Sequence, residues 1–562
     1  MLSISPSQDI SFRDATAHAG IENYVGGIGA SAFDFNRDGW DDLTLVLRDS
    51  TPVLLVNNRD ETFTDVTSLL GIKGEGELLV PVWVDVNNDD RPDLFIGHSG
   101  GGRNALYVDQ GDGTYAEEAA LRGIDTRAKL GTAAFGDLNN DGFLDLFLGV
   151  THGLDILYLG DGRTFNDVSE VFGIQGDPYS IAMQAVWIDF DSDGDQDLFV
   201  THDEMIPNRL YVNDDGQSLT DEADRYRIKE VGEGHSMGVS WGDPDLDGNM
   251  DAYVTRIRTG GLYMFDGFGR FTDEATARNV AINGVSWGVS FADLDNDIDE
   301  DLVLVSSASA GAIPPSIYVN GGGRFQPVTQ AGEFQYSAQD KGLAVGDFNN
   351  DGRLDLFTAN LGGGHRLFLN DTADTGQWLT VELRGDGSNS LGIGSRLELD
   401  VGSKTLVRYI HGGEGYNSQH SSRVHFGLGN ALEASELRII WGDGQTQTIG
   451  GLSASRRYVI SESMVSTDIE RPAELPGAFE VRAVFPNPAA DRITFEFEAD
   501  VRERIRIHIW DSVGRQVDVR EIQLSAGHTG LQIPTDHLAS GLYAFRADSR
   551  EGSVSGSFAV RR

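Results

Sequence analysis

The sequence contains no cysteine, so neither a disulfide nor a thiolate metal site can hold it together. Positive charge is scarce: 43 Lys and Arg face 88 Asp and Glu, a formal net charge of −45. That balance excludes nucleic-acid backbones and anionic membrane surfaces as partners. Lysine is almost missing beside arginine, which hints at a GC-rich or salt-adapted source. No apolar run approaches the roughly 18 residues of a membrane span, so no span is expected. Recognisable catalytic motifs are missing too: there is no Gly-x-Ser-x-Gly elbow, no HExxH and no phosphate loop. The opening residues MLSISPSQDISFRDAT have neither a basic n-region nor an apolar h-region, so no signal peptide is expected in them.

Glycine and aspartate are abundant. The chain has 70 glycines in 562 residues, a length for about three to five domains. An eleven-residue aspartate motif occurs seven times, as FDFNRDGWDDL from 33, VDVNNDDRPDL from 84, GDLNNDGFLDL from 136, IDFDSDGDQDL from 188, GDPDLDGNMDA from 242, ADLDNDIDEDL from 292 and GDFNNDGRLDL from 346. Successive copies start 51, 52, 52, 54, 50 and 54 residues apart. A period near 50 is the signature of a propeller or solenoid.

Counting from the first aspartate, Asp or Asn occupies positions 1, 3 and 5, and Asp occupies position 9. Carboxylates crowded this closely repel one another unless a cation compensates. Oxygen-only donors at this spacing suit a hard ion such as Ca2+. The expected ligands are Asp34, Asn36, Asp38 and Asp42; Asp85, Asn87, Asp89 and Asp93; Asp137, Asn139, Asp141 and Asp145; Asp189, Asp191, Asp193 and Asp197; Asp243, Asp245, Asp247 and Asp251; Asp293, Asp295, Asp297 and Asp301; and Asp347, Asn349, Asp351 and Asp355. Up to seven ions are thus expected.

An EF-hand is excluded. Its position 12 is Glu, whereas Leu45, Ile96, Leu148, Val200, Val254, Leu304 and Thr358 stand there, and the flanks read as strands rather than helices. Position 6 is Gly except at Asp90 and Ile298. A β-branched residue at positive φ is costly, so the sixth loop is expected to be reshaped or weaker.

Each period carries two further strand-like units, such as LLVNN (54–58) and FTDVT (63–67), the strand count of one propeller blade. The seventh repeat lacks its F-x-D-x-T unit, which appears instead at FRDAT (12–16). The fold expected is all-β: a seven-bladed β-propeller over 1–371 closed by the N-terminal strand, then a small β-domain (372–462), a linker (463–478) and an immunoglobulin-like β-sandwich (479–562). Trp83, Trp187 and Trp241, each two residues before a first aspartate, are read as packing between blades rather than as sugar platforms.

The D-x-[DN]-x-D-G-x-x-D core resembles the FG-GAP/VCBS repeats of integrin α subunits and many secreted bacterial proteins. S-N-x-x-G-I-G at 388–394, G-E-G-Y-N-S-Q at 413–419 and H-F-G-L-G at 425–429 resemble the ASPIC/UnbV domain of the cartilage acidic protein family, with departures at Ser390 and at Gly442-Asp443. Its His411, His420 and His425 are read as turn-stabilising and surface residues. P-N-P at 486–488, D-x-x-G-R at 511–515 and L-x-x-G-x-Y at 538–543 resemble the type IX secretion sorting domain, which implies export and contact with that machinery.

The function expected is a non-enzymatic, calcium-stabilised adhesion or ligand-binding module, secreted or on the outer cell surface, with an unknown protein or glycan ligand. Loops leaving the face opposite the aspartates bring His98, His152, His202, Arg256 and Arg258 as a candidate ligand surface. The alternatives are a carbohydrate-active enzyme, a polysaccharide lyase or glycosidase, using that same face, and a purely structural surface protein.

Overall fold

A computed structural model describes residues 10–463 apart from 49, 75, 175–177, 231–234, 307–313, 335, 337–338 and 374. Beyond these it describes 470–471, 479–485, 489, 492–499, 504–511, 516–525, 527–535, 537–538, 541–548 and 553–561. The linker expected at 463–478 therefore lies largely outside the described residues. The chain forms two compact units, the larger Met1–Asp109 with Tyr115–Ile469 and the smaller Gln110–Thr114 with Glu470–Arg562.

In the larger unit each aspartate period folds as a four-stranded antiparallel sheet. The first pairs Gly27–Phe33 with Asp42–Leu47, then Val53–Asn57, then Phe63–Asp65. The pattern recurs down the chain, and the fifth and sixth repeats are joined where Ile257–Thr259 pairs with Asn283–Val285. The last repeat is completed from the other end of the chain: Phe12–Asp14 pairs with Phe368–Asn370. This is the exchange that the misplaced F-x-D-x-T unit implies.

Strand faces alternate, so each sheet buries one set of side chains against its predecessor and the other against its successor. Trp83 shows why aromatics precede the aspartates. Fully buried, it stacks on Phe35 at 4.9 Å and donates its indole N–H to Thr44 of the preceding repeat at 2.9 Å. Trp187 donates likewise to the Ala134 carbonyl at 3.3 Å. The sheets crowd most at their first strands, all of which carry a register shift. A Cβ on Gly131 would lie 1.8 Å from the Ala182 carbonyl oxygen of the next repeat. One on Gly342 would lie 2.5 Å from the Ile28 oxygen, so the last repeat packs on the first. These repeated sheets are the blades of a β-propeller.

Residues after 376 build two further sheets within the same unit. Gln377–Arg384 pairs antiparallel with Val424–Gly429 and parallel with Arg456–Ser461. Arg396–Val401, Lys404–Tyr409, Glu433–Ile440 and Thr446–Ser453 form the other. Leu397, Leu399, Leu437, Ile439 and Trp441 supply its core. In the smaller unit, Arg492–Ala499 and its neighbours form one sheet and Arg504–Asp511 and its neighbours a second. Phe495, Ile507, Phe545 and Phe558 pack in the core the two sheets share.

Candidate metal centre

The aspartate motif links the first and second strands of every repeat, and all seven copies follow one backbone path. Position 4 lies at φ 53–61° and position 6 at φ 69–98° in each. The position-1 carboxylate fixes this path. Its Oδ1 accepts the position-5 N–H at 2.9–3.2 Å and its Oδ2 the position-6 N–H at 2.7–3.2 Å, in all seven loops. Position 5 accepts the position-7 N–H at 2.9–3.1 Å. Position 9 reaches across the sheet to the N–H at the end of the third strand, from Asn57 to Asp42 through to Asn370 to Asp355, at 2.7–2.9 Å.

The sixth loop keeps this geometry, so the expectation that it is reshaped is not met. Ile298 sits at φ 96° and its N–H still bonds Asp293 at 2.9 Å. Its side chain packs within 3.5 Å of the Gly429 position and against the apolar core beneath residues 377–460, which offsets the cost of the left-handed backbone.

Position 3 separates the loops into two chemical classes. In three of the four loops where it is Asn, the amide bridges to the position-5 carboxylate: Asn87 to Asp89, Asn139 to Asp141 and Asn349 to Asp351, at 2.9–3.0 Å. Arg91 and Arg353 ion-pair with Asp89 and Asp351. Where position 3 is Asp, carboxylates meet without such an amide. Asp189, Asp191 and Asp197; Asp243, Asp245 and Asp251; and Asp293, Asp295 and Asp297 each place a ligand atom within 4.8 Å of the others. In these loops Asp191 Oδ1, Asp197 Oδ2, Asp245 Oδ1, Asp251 Oδ2 and Asp295 Oδ1 are buried with no hydrogen-bond donor among the described residues. Orphaned carboxylate oxygens that converge fit a hard divalent cation.

The electrostatics agree. Burial pushes Asp34, Asp137, Asp189, Asp243 and Asp347 up to about 7 and Asp93 to about 8. Asp42, Asp145, Asp197, Asp251, Asp301 and Asp355 rise well above the carboxylate range for the same reason, with neighbouring aspartates adding to it. The loops therefore resist ionisation unless a positive charge joins them.

Position 4 carries a role that the motif alone did not reveal. The Asn88 amide donates to the Gly142 carbonyl of the next loop, Asn140 to Gly194, Asn296 to Gly352 and Asn350 to Gly39, at 2.7–3.2 Å. Asn tolerates the left-handed conformation needed there, and its recurrence at position 4 was the available signal. Between the fourth and fifth loops, Arg396 does this work from outside the repeats, donating to Ser192 Oγ at 2.6 Å and the Gly248 carbonyl at 3.0 Å.

The β-domain after 376 covers this face. Arg423 pairs with Asp41 at 2.6 Å, both buried, and Ser390 Oγ donates to Asp85 at 2.5 Å. Arg408 pairs with Glu300 at 3.2 Å. His411, His420 and His425 are covered rather than on the surface. They bond the Trp187 carbonyl, the Val345 N–H and Asn296, holding propeller and β-domain together.

Of the five candidate ligand residues on the opposite face, some are exposed and some are not. His98 and His202 are buried, 7% and 0% exposed. Arg256 pairs with Glu230 at 3.0 Å and lies over the Tyr263 ring. His152 and Arg258 are exposed. Short polar loops next to histidine suggest exposure, but glycines 76 and 102 let the chain fold tightly over His98.

Comparison with known proteins follows this division. A family model for the FG-GAP-like repeat matches 34–96, 85–148, 137–200, 189–254 and 299–358. A model for ASPIC and UnbV matches 385–467, and one for the secretion system C-terminal sorting domain matches 483–561. Cartilage acidic protein 1 of Xenopus tropicalis is 27% identical over 256 residues, 43% of this chain and 39% of that protein. The Mus musculus protein is 26% identical over 273 residues, 46% and 40% of the two chains. The chain thus spans about 40% of the length of these curated relatives. Among solved structures, a lectin of Agrocybe aegerita, titled for recognition of non-reducing terminal N-acetylglucosamine, aligns at 14% identity and TM-score 0.38, over 63% of this chain and 86% of that one. The FG-GAP-like repeat model matches half of this chain, which belongs to the FG-GAP-like repeat proteins, as a secreted or cell-surface β-propeller with an ASPIC and UnbV domain and a C-terminal sorting domain.

Proposed function

We propose that this chain is an exported, non-enzymatic adhesion or ligand-binding protein whose aspartate loops hold calcium. In this reading 1–371 is a closed seven-bladed propeller, 372–462 a β-domain packed on its aspartate face, 463–478 a linker, and 479–562 an immunoglobulin-like sandwich read by the type IX secretion machinery. One observation carries the metal assignment: in three loops carboxylates converge, and in each at least one buried oxygen has no donor among the described residues. Calcium would neutralise these carboxylates and hold each hairpin tip in place of disulfides, which the chain lacks. The same commitment leaves the clustered aspartates ionised and unsuited to acid catalysis.

Ligand binding falls to the face opposite the aspartates, where His152 and Arg258 are exposed. The test is a screen of the full chain against glycans and extracellular proteins, with calcium and with chelator. Saturable binding with the glycan recovered intact supports the proposal. Cleavage of a bound glycan overturns its non-enzymatic part.

A further inference from the structure

The segment Gly412–Gln419 does more than cover loops. The Phe135 N–H donates to the Gly412 carbonyl at 2.8 Å and the Ala32 N–H to that of Gln419 at 3.0 Å. The Gln419 side chain accepts from Ser31 Oγ and the Trp83 N–H, each at 2.8 Å, and donates to the Trp83 carbonyl at 2.9 Å. Glu414 accepts from Ser240 Oγ at 3.0 Å. Tyr416, 4% exposed, packs against Met183, Met237 and Trp287. Eight residues thus engage the first strands of repeats one to six, and Ser421 adds the seventh through Val345 at 2.9 Å. So short a segment can touch strands from every repeat only if it lies on the axis those strands surround.

We propose that residues 372–462 act as a cap with an axial plug, and that its docking is coupled to cation binding in the aspartate loops. This rests on the calcium reading above. Many of the cap's bonds end on loop backbone: Gly248 O from Arg396, Asp189 O from the Tyr409 hydroxyl at 2.8 Å, and Asp295 O from the Gly376 N–H at 2.9 Å. Those carbonyls stay in place only while the left-handed loop path holds. Without a cation, the converging buried carboxylate oxygens of that path have nothing to hold them together. In return, the cap excludes water from them and strengthens their attraction for a divalent ion. Each event therefore favours the other, and the coupling must be equal in both directions.

The experiment is residue-resolved hydrogen exchange on the full chain, in calcium and in excess chelator, beside calorimetric calcium titration of the native chain and of Gln419→Ala. Gln419 is no metal ligand. The expected result is that chelation speeds exchange at the Phe135, Ala32 and Trp83 amides at least tenfold, while the Val168 amide, bonded to Leu157 on an outer strand, keeps its protection. Gln419→Ala is expected to bind calcium at least about fivefold more weakly, the low end of ordinary coupling. Calcium binding with plug amides unchanged overturns the coupling and leaves the calcium reading standing, as does uniform acceleration of every amide. No calcium binding at all overturns both.

Discussion

Asn350 donates its side-chain amide to the carbonyl of Gly39 at 3.0 Å, across 311 residues of sequence. A second bond runs the other way, from Asn57 of the first repeat to the Phe348 carbonyl of the last at 2.8 Å. Equivalent bonds join neighbouring loops elsewhere, so the last repeat meets the first by the rule that joins the others. Asn350→Ala removes the bond to Gly39 and the one Asn350 Oδ1 accepts from Arg423 at 3.0 Å, about 1 kcal/mol each, and puts a Cβ residue without a polar side chain at φ 54°, about 1–2 kcal/mol more. Asn350→Asp keeps tolerance of that backbone but cannot donate. In saturating calcium, denaturant titration is expected to rank native above Asn350→Asp above Asn350→Ala. Equal midpoints for all three contradict the latch.

Trp83 fills the contact between the first and second repeats, stacked on Phe35 and bonded to Thr44. Trp83→Ala is expected to lower stability by about 3–5 kcal/mol through the cavity it leaves. Thr44→Val, which removes the hydrogen bond and preserves shape, is expected to lower it by about 1 kcal/mol. Glycan affinity is expected to be unchanged by Thr44→Val, and a loss there would favour a sugar-binding use of the indole.

Aspartate at position 3 predicts two classes of calcium site. The loops starting at Asp189, Asp243 and Asp293 bring one more carboxylate than the other four, with buried oxygens awaiting a donor. Calorimetry is expected to resolve three tighter sites from four weaker ones, and Asp245→Asn to move one site from the first class to the second. A single class of seven equal sites argues against this ordering.

Two buried histidines make stability fall in acid. Burial holds His365 down to about 4 and His425 to about 3, both below the ordinary 6.5. The Asn360 N–H donates to His365 Nδ1 at 3.0 Å, which requires that nitrogen unprotonated. Because the unfolded chain protonates these histidines first, the stability they contribute is full above about pH 6.5 and is lost as pH falls toward 4. His365 alone accounts for roughly 3 kcal/mol over that window. His365→Gln is expected to flatten the loss, read as the difference between variant and native melting temperatures from pH 7 to pH 4.5. An unchanged difference across that range excludes His365 as a source.

The sequence announced the repeats because aspartate spacing and strand alternation are local. The exchanged strand was legible too, since FRDAT at one end matched a unit missing at the other, and Phe12 does pair with Asn370. What stayed hidden depends on partners outside the repeat. Position 4 carried no reading because Asn88 or Asn350 bonds a carbonyl one loop onward. Ile298 looked like a fault because the apolar surface that accepts it is contributed from beyond residue 376. His98 and His202 sat in loops that read as exposed, whereas close turns bury them. The plug GGEGYNSQ is too polar and short to signal burial; its Gln419 and Glu414 side chains find partners on the first strands it meets.

The most direct measurement is thermal unfolding of the metal-free chain across a calcium titration. Each site at a hundredfold excess over its Kd adds about 2.7 kcal/mol if the unfolded chain does not compete. The account predicts a melting temperature that climbs steeply with calcium and collapses in excess EDTA. A melting curve that EDTA leaves unmoved would contradict it.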